Sequence, residues 1–115
     1  MKDKITQFDQ GADIPLQYVD ITYAGVVPTT LVGLSFYATV EVYSTKQEVI
    51  NLTNNDINLD DNGGVPIVTF LIPTASLVSG VLYDYDFWVV DPIYGKHTLD
   101  RFFLRLGSPV TNSFP

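Results

Sequence analysis

The chain has 115 residues, 46% of them hydrophobic and 17% charged, with six Lys and Arg against thirteen Asp and Glu and a formal net charge of -7. A chain this long suits one domain and buries roughly 65% of the surface it exposes when unfolded, enough for a core without cross-links. The absence of cysteine and the single histidine, His97, exclude disulfides, thiolate metal sites, a cysteine nucleophile and a polyhistidine metal site. The acidic balance opposes contact with a phosphate backbone, so no nucleic-acid partner is expected.

Met1-Lys2-Asp3-Lys4-Ile5-Thr6 opens with charge and leads into Gln7, Asp9, Gln10 and Asp13 where a signal peptide would place an apolar run; no secretory signal is expected. Apolar stretches such as Phe87 to Val90 are strand-sized, far short of the roughly 20 residues that span a bilayer, so no membrane partner is expected. Periodicity is close to two almost throughout, with Val, Ile, Tyr and Phe dominating, the composition of a pleated, half-buried surface. Ile14, Leu16 and Tyr18 alternate with Asp13, Gln17 and Val19 as a first strand before Gly25 and Pro28. From Phe36 to Tyr43, Phe36, Ala38, Val40 and Val42 share one face and Tyr37, Thr39, Glu41 and Tyr43 the other. Gln47 to Thr53 and Ile57 to Leu59 are shorter strands, and Asp60-Asp61-Asn62-Gly63-Gly64 is a hairpin turn, because Asn-Gly tolerates positive φ. Val65 to Ile72 follows, with Pro66 at its start. Pro73 to Leu77 reads as one helical turn, closed by Gly80. Val81 to Val90 is expected to be the longest strand, with Tyr83, Tyr85, Phe87 and Val89 inside and Asp84, Asp86 and Trp88 outside, since the charged face belongs in water. After a turn at Asp91 to Lys96, Thr98 to Leu106 returns with Phe102, Leu104 and Leu106 inward and Arg101, Phe103 and Arg105 outward. Seven to eight short strands at this spacing predict an all-β, antiparallel immunoglobulin-like sandwich over residues 1 to 115 with short N- and C-terminal arms; a small closed barrel is the rival architecture.

Chemical motifs are sparse. His97 lies in the turn Tyr94-Gly95-Lys96-His97, and no Gly-x-Ser-x-Gly, P-loop or Gly-x-Gly-x-x-Gly sequence is present. Asp84 and Asp86, two apart on one strand face, could bracket a glycosidic bond, but the same spacing describes any solvated strand. Asp56-Ile57-Asn58-Leu59-Asp60 imitates half of a calcium loop, yet Asp61 stands where Gly makes the turn and Ile67 where the bidentate Glu belongs. Asn51-Leu52-Thr53 is a formal glycosylation sequon. No catalytic residue, no metal site and no cofactor is expected.

The outward aromatics are more informative. Trp88, Tyr37, Tyr43 and Phe103 fall on faces assigned to solvent, where large apolar groups mark either an interface or an internal cover. Arg101 and Arg105 flank Phe103 and would either add specificity to a contact or pair with Asp84 and Asp86 across strands. In the terminal arms, Ile5, Phe8, Val110 and Phe114 stand among polar residues, and both arms are expected to order against a neighbour. The interface candidates are therefore Trp88, Phe103, Tyr37, Tyr43, Arg101, Arg105, Ile5, Phe8 and Phe114.

Several segments in order carry a family resemblance: Gly11 to Leu16, Leu31 to Val40, Gly64-Val65-Pro66-Ile67 leading to Thr74 and Leu77, Gly80-Val81-Leu82-Tyr83-Asp84-Tyr85-Asp86-Phe87-Trp88-Val89-Val90-Asp91-Pro92, and Leu104 to Thr111. Together, over nearly the whole chain, they resemble the small immunoglobulin-like virion proteins of tailed bacteriophages and the N-terminal β-sandwich domain of phage baseplate upper proteins. The resemblance implies a non-enzymatic structural or accessory protein, made in the host cytoplasm and carried on the virion. It would dock on capsid, neck or tail subunits in many symmetric copies. A carbohydrate-binding sandwich, with Trp88 and tyrosines as stacking platforms, is the alternative.

Overall fold

The computed structural model describes residues 5–9 as backbone and residues 13–107 with their side chains. Eight strands form: β1 (Ile5–Asp9), β2 (Ile14–Tyr18), β3 (Ser35–Val42), β4 (Glu48–Leu52), β5 (Asn58–Asp60), β6 (Ile67–Ile72), β7 (Tyr83–Asp91) and β8 (Gly95–Gly107). They make a five-stranded sheet in the order β1-β8-β7-β3-β4 and a three-stranded sheet in the order β2-β6-β5. Every pairing is antiparallel except that of β1, which runs parallel to β8 with Ile5 opposite Phe103 and Asp9 opposite Gly107. The protein is an all-β sandwich: β2, β6 and β5 occupy the places of strands B, E and D of an immunoglobulin domain, and β4, β3, β7 and β8 those of C′, C, F and G.

The core lies between the sheets, as the alternation requires. Phe36, Ala38 and Val40 from β3, Tyr83, Tyr85, Phe87 and Val89 from β7, and Leu104 and Leu106 from β8 meet Ile14, Val68, Phe70 and Ile72 from the small sheet. Phe87 sits at the centre, with ring centroids 4.4 Å from Tyr18, 5.4 Å from Phe70 and 5.8 Å from Phe36, the separations at which aromatic rings attract beyond their buried area. At the entry to β7 the Tyr83 hydroxyl accepts the Val78 N–H at 2.7 Å, fixing the corner where the chain leaves the small sheet. The turns expected at Asp60–Gly64 and Pro73–Leu77 are single 3-10 turns, Asn62–Gly64 and Thr74–Ser76. Asn62 and Gly63 hold φ of 45° and 65°, the region that makes Asn-Gly the natural choice there.

Three expectations change. The longest strand is β8, because its hairpin with β7 starts at Gly95 and β8 continues along β1 to Gly107. The N-terminal stretch pairs within its own sheet as β1 instead of waiting for a neighbour; residues 1–4, 10–12 and 108–115, Val110 and Phe114 included, lie outside the described residues. The Asp face of β7 is only partly open to water: Asp86 and Trp88 are half-exposed, but Asp84 is buried, because Phe103 stands opposite it on β8 and the Lys46 ammonium reaches it at 3.2 Å.

Candidate interaction faces

The outer face of the five-stranded sheet brings together the candidates read from alternation. Tyr37 on β3 and Trp88 on β7 are register partners, and their rings stack at 5.4 Å with 19° between planes. From the other flank of β7, Lys96 on β8 sets its ammonium over the indole at 4.6 Å, a cation–π contact. Trp88 is thereby in contact with a ring from one neighbouring strand and a cation from the other. Tyr43, just past β3, meets Phe103 edge-to-face at 5.4 Å, with Lys46 over its ring at 4.5 Å. Arg101 donates from Nε to Asp86 Oδ1 at 3.0 Å, directly across the β7/β8 register, so the cross-strand pairing expected for the arginines is realised at this position. Arg105 is half-buried on β8 opposite Gln7. Ile5 and Phe8 lie on β1 opposite Phe103 and Leu106. Alternation thus located a real aromatic ladder, but its members mostly cover one another.

The carboxylates and phenols face inward tasks. Tyr85, fully buried on β7, and Tyr18 on β2 have hydroxyls 2.8 Å apart, and Tyr18 donates to Asp100 Oδ2 at 2.7 Å. Since Tyr18 spends its one proton on Asp100, Tyr85 donates to Tyr18, giving the chain Tyr85 to Tyr18 to Asp100 across the two sheets. Burial pushes both phenols far above the ordinary tyrosine range. A second carboxylate, Asp91 at the end of β7, accepts the N–H groups of Ile93 and Tyr94 on Oδ1 at 2.7 and 3.2 Å and the Tyr23 hydroxyl on Oδ2 at 2.7 Å. The Ile93 N–H and then the Tyr23 hydroxyl hold Asp91 below the usual carboxylate range, while burial and Asp91 push Tyr23 up to about 12. His97, half-buried, donates Nε2–H to the Tyr94 carbonyl at 2.8 Å and stacks on Tyr23 at 5.7 Å. In the imitation calcium loop, Asp56 accepts the Thr53 N–H and Asp60 the Asn62 N–H. Among the described residues, no group of three or more His, Asp or Glu side chains could hold a metal.

The remaining surface is uneven. Of the ten large apolar side chains exposed among the described residues, Val19, Val27, Val32, Val65, Val90, Ile93 and Tyr94 stand at one end of the sandwich; the other three are Tyr43, Leu71 and Val78. That end is built from the β2–β3 loop, the β5–β6 loop and the β7–β8 turn, which the antiparallel register gathers. Val32 is 80% exposed and Ile93 82%. Between the loop and the turn lies a hollow of about 240 Å³ walled by Pro28, Val32, Pro92 and Ile93 with Tyr23 and Asp91 on its floor. Alternation says nothing about how loop residues such as Val32 and Ile93 gather, because no strand period fixes where they point; Ile93-Tyr94 inside the Asp91-Pro92 to Gly95 turn was the available signal. A second, open groove of about 780 Å³ runs along β6 beyond the three-residue β5, lined by Leu16, Leu52, Phe70 and Leu71.

Neither the models of known protein families nor the curated proteins contain a match to this chain.

Proposed function

We propose that this protein is a non-enzymatic docking module, and that its setting is the virion of a tailed phage, where it joins capsid, neck or tail subunits in many copies. The observation that carries the docking reading is the gathering of exposed apolar side chains at the three-loop end, while the carboxylates most open to a chemical reading are spent on structure: Asp86 on Arg101, Asp91 on two loops and Asp100 on Tyr18. Solvent-facing clusters of that kind mark interaction sites. The virion setting rests on the resemblance of the Gly80–Pro92 segment, whose Tyr83, Tyr85 and Asp91 hold the corner, the sheets and the hairpin. The carbohydrate alternative has less support, because a sugar ring needs an open aromatic face and Trp88 is already stacked with Tyr37 and carries the Lys96 ammonium over its ring.

The test is particle composition. Density-banded phage particles from cells that encode the chain are expected to contain it in a fixed ratio to the major capsid or tube subunit. Its recovery only in the free protein fraction, with particles complete without it, would defeat the virion reading.

A further inference from the structure

The three-loop end is stiffened before any partner arrives. Asp61 of the β5–β6 loop takes the Leu31 N–H at 2.6 Å and the Thr30 hydroxyl at 3.0 Å, both from the β2–β3 loop. Asp91 ties that same loop, through Tyr23, to the β7–β8 turn. Within the β2–β3 loop, Tyr23 and Val26 exchange both backbone hydrogen bonds around Ala24 and Gly25, and Ile21, Tyr23, Leu31 and Leu34 are buried in the core. Two carboxylates thus clasp three loops, and the apolar side chains between the clasps are held in water. Loops fixed this way lose little freedom on binding, which raises affinity without added area.

We infer that this end is the docking surface, and that its hollow takes one bulky apolar side chain from a basic segment of a partner protein; this rests on the docking reading above and names its site. Size selects the occupant: about 240 Å³ falls short of the roughly 300–1,000 Å³ of small-molecule pockets and suits a single side chain. Charge selects its flanks. Asp91 lines the hollow and Asp61 holds its wall residue Thr30, while the Lys96 ammonium, from the same β7–β8 turn region, is held over Trp88. A second copy would bring Asp61 and Asp91 against the same carboxylates on chains of net charge -7, and an anionic lipid surface would meet the same repulsion; a Lys- or Arg-bearing partner complements them.

The test selects short random peptides, displayed on yeast, against the immobilised full chain. The enriched peptides are expected to carry a bulky apolar residue next to Lys or Arg. Ile93→Asp and Val32→Asp, both at sites too exposed to disturb folding, are expected to weaken the best peptide by about tenfold or more, with thermal midpoints unchanged. Raised salt is expected to weaken it further. Selected peptides that ignore both substitutions and are lost on Leu71→Asp would overturn the loop-end site while leaving the docking reading intact. Peptides without basic residues, binding only to phosphatidylcholine vesicles, or an Ile93-dependent dimer in sedimentation would each overturn the choice of partner. A library yielding no binder above a scrambled control would overturn the site and the docking reading together.

Discussion

The buried chain Tyr85 to Tyr18 to Asp100 makes an asymmetric prediction. Tyr85→Phe removes the first donor and leaves Tyr18 bonded to Asp100, so the loss is one ordinary hydrogen bond, about 0.5–1.5 kcal/mol. Tyr18→Phe removes the middle link. It takes the donor from Asp100, which is half-exposed and can recover water, and strands the Tyr85 hydroxyl, whose residue has 0% exposure and cannot. An orphaned buried hydroxyl adds about 1–3 kcal/mol, so the total is about 1.5–4.5 kcal/mol, and the midpoint falls by roughly 3–6 °C per kcal/mol for a domain of this size. Both substitutions keep the ring that packs on Phe87 or Phe102. The double variant has no hydroxyl left to strand and is expected to lose only about 1–2 kcal/mol, less than Tyr18→Phe alone. Urea unfolding followed by the fluorescence of the single tryptophan, Trp88, measures all four species of this cycle. Equal losses for the two single variants, or a double variant equal to their sum, would refute the order of donors.

Alkali gives an independent check. Tyr18 and Tyr85 hold their protons well above the ordinary tyrosine value, and Tyr23 does so up to about 12. The unfolded chain releases those protons near pH 10. Stability is therefore intact below about pH 10 and falls as pH rises beyond it, because the unfolded state then binds fewer protons; urea midpoints across that range are expected to fall less steeply in the Tyr18→Phe/Tyr85→Phe variant. Phe87→Ala is expected to cost about 3–5 kcal/mol by opening a cavity among Tyr18, Phe36 and Phe70, read from the same unfolding curves. Asp91→Ala is expected to speed hydrogen exchange at the Ile93 and Tyr94 amides while the β3–β7 amides stay protected. In the wild type the depressed Asp91 value means that its contribution holds above the ordinary carboxylate range and fades as pH falls through the depressed value.

The architecture was legible wherever one side of a strand is wet. In β3, Phe36, Ala38 and Val40 alternate with polar or amphipathic neighbours, so period two alone gave the strand and its face. In β7 the same rule named the four inward residues correctly and misjudged Asp84, since alternation reports which face a residue is on and not what lies over that face. The Tyr23–Val26 bridge went unseen because Ala24, at φ 52°, holds a left-handed conformation that its residue type does not advertise. The links Tyr18–Asp100 and Leu31–Asp61 join residues 82 and 30 positions apart, and the apolar end exists only once three loops have been brought together. Such sites belong to the topology, and the local sequence shows at most one piece of them, as Ile93-Tyr94 does for the apolar end.

The place of β7 between β3 and β8 has a consequence for synthesis. The chain emerges in order, so β7, with Tyr83, Tyr85, Phe87, Trp88 and Val89, is complete before any of β8 exists. For that interval the centre of the large sheet is a sticky margin with unsatisfied backbone groups, open to pairing with another nascent chain. The tight turn at Asp91–Gly95 shortens the exposure, because Gly95 and Lys96 come into register with Asp91 and Val90 as soon as they are made. On this view the Asp91 side chain, which gathers the Ile93 and Tyr94 amides, is also an early fastening, closing the hairpin locally before the distant Tyr18 and Asp100 have met.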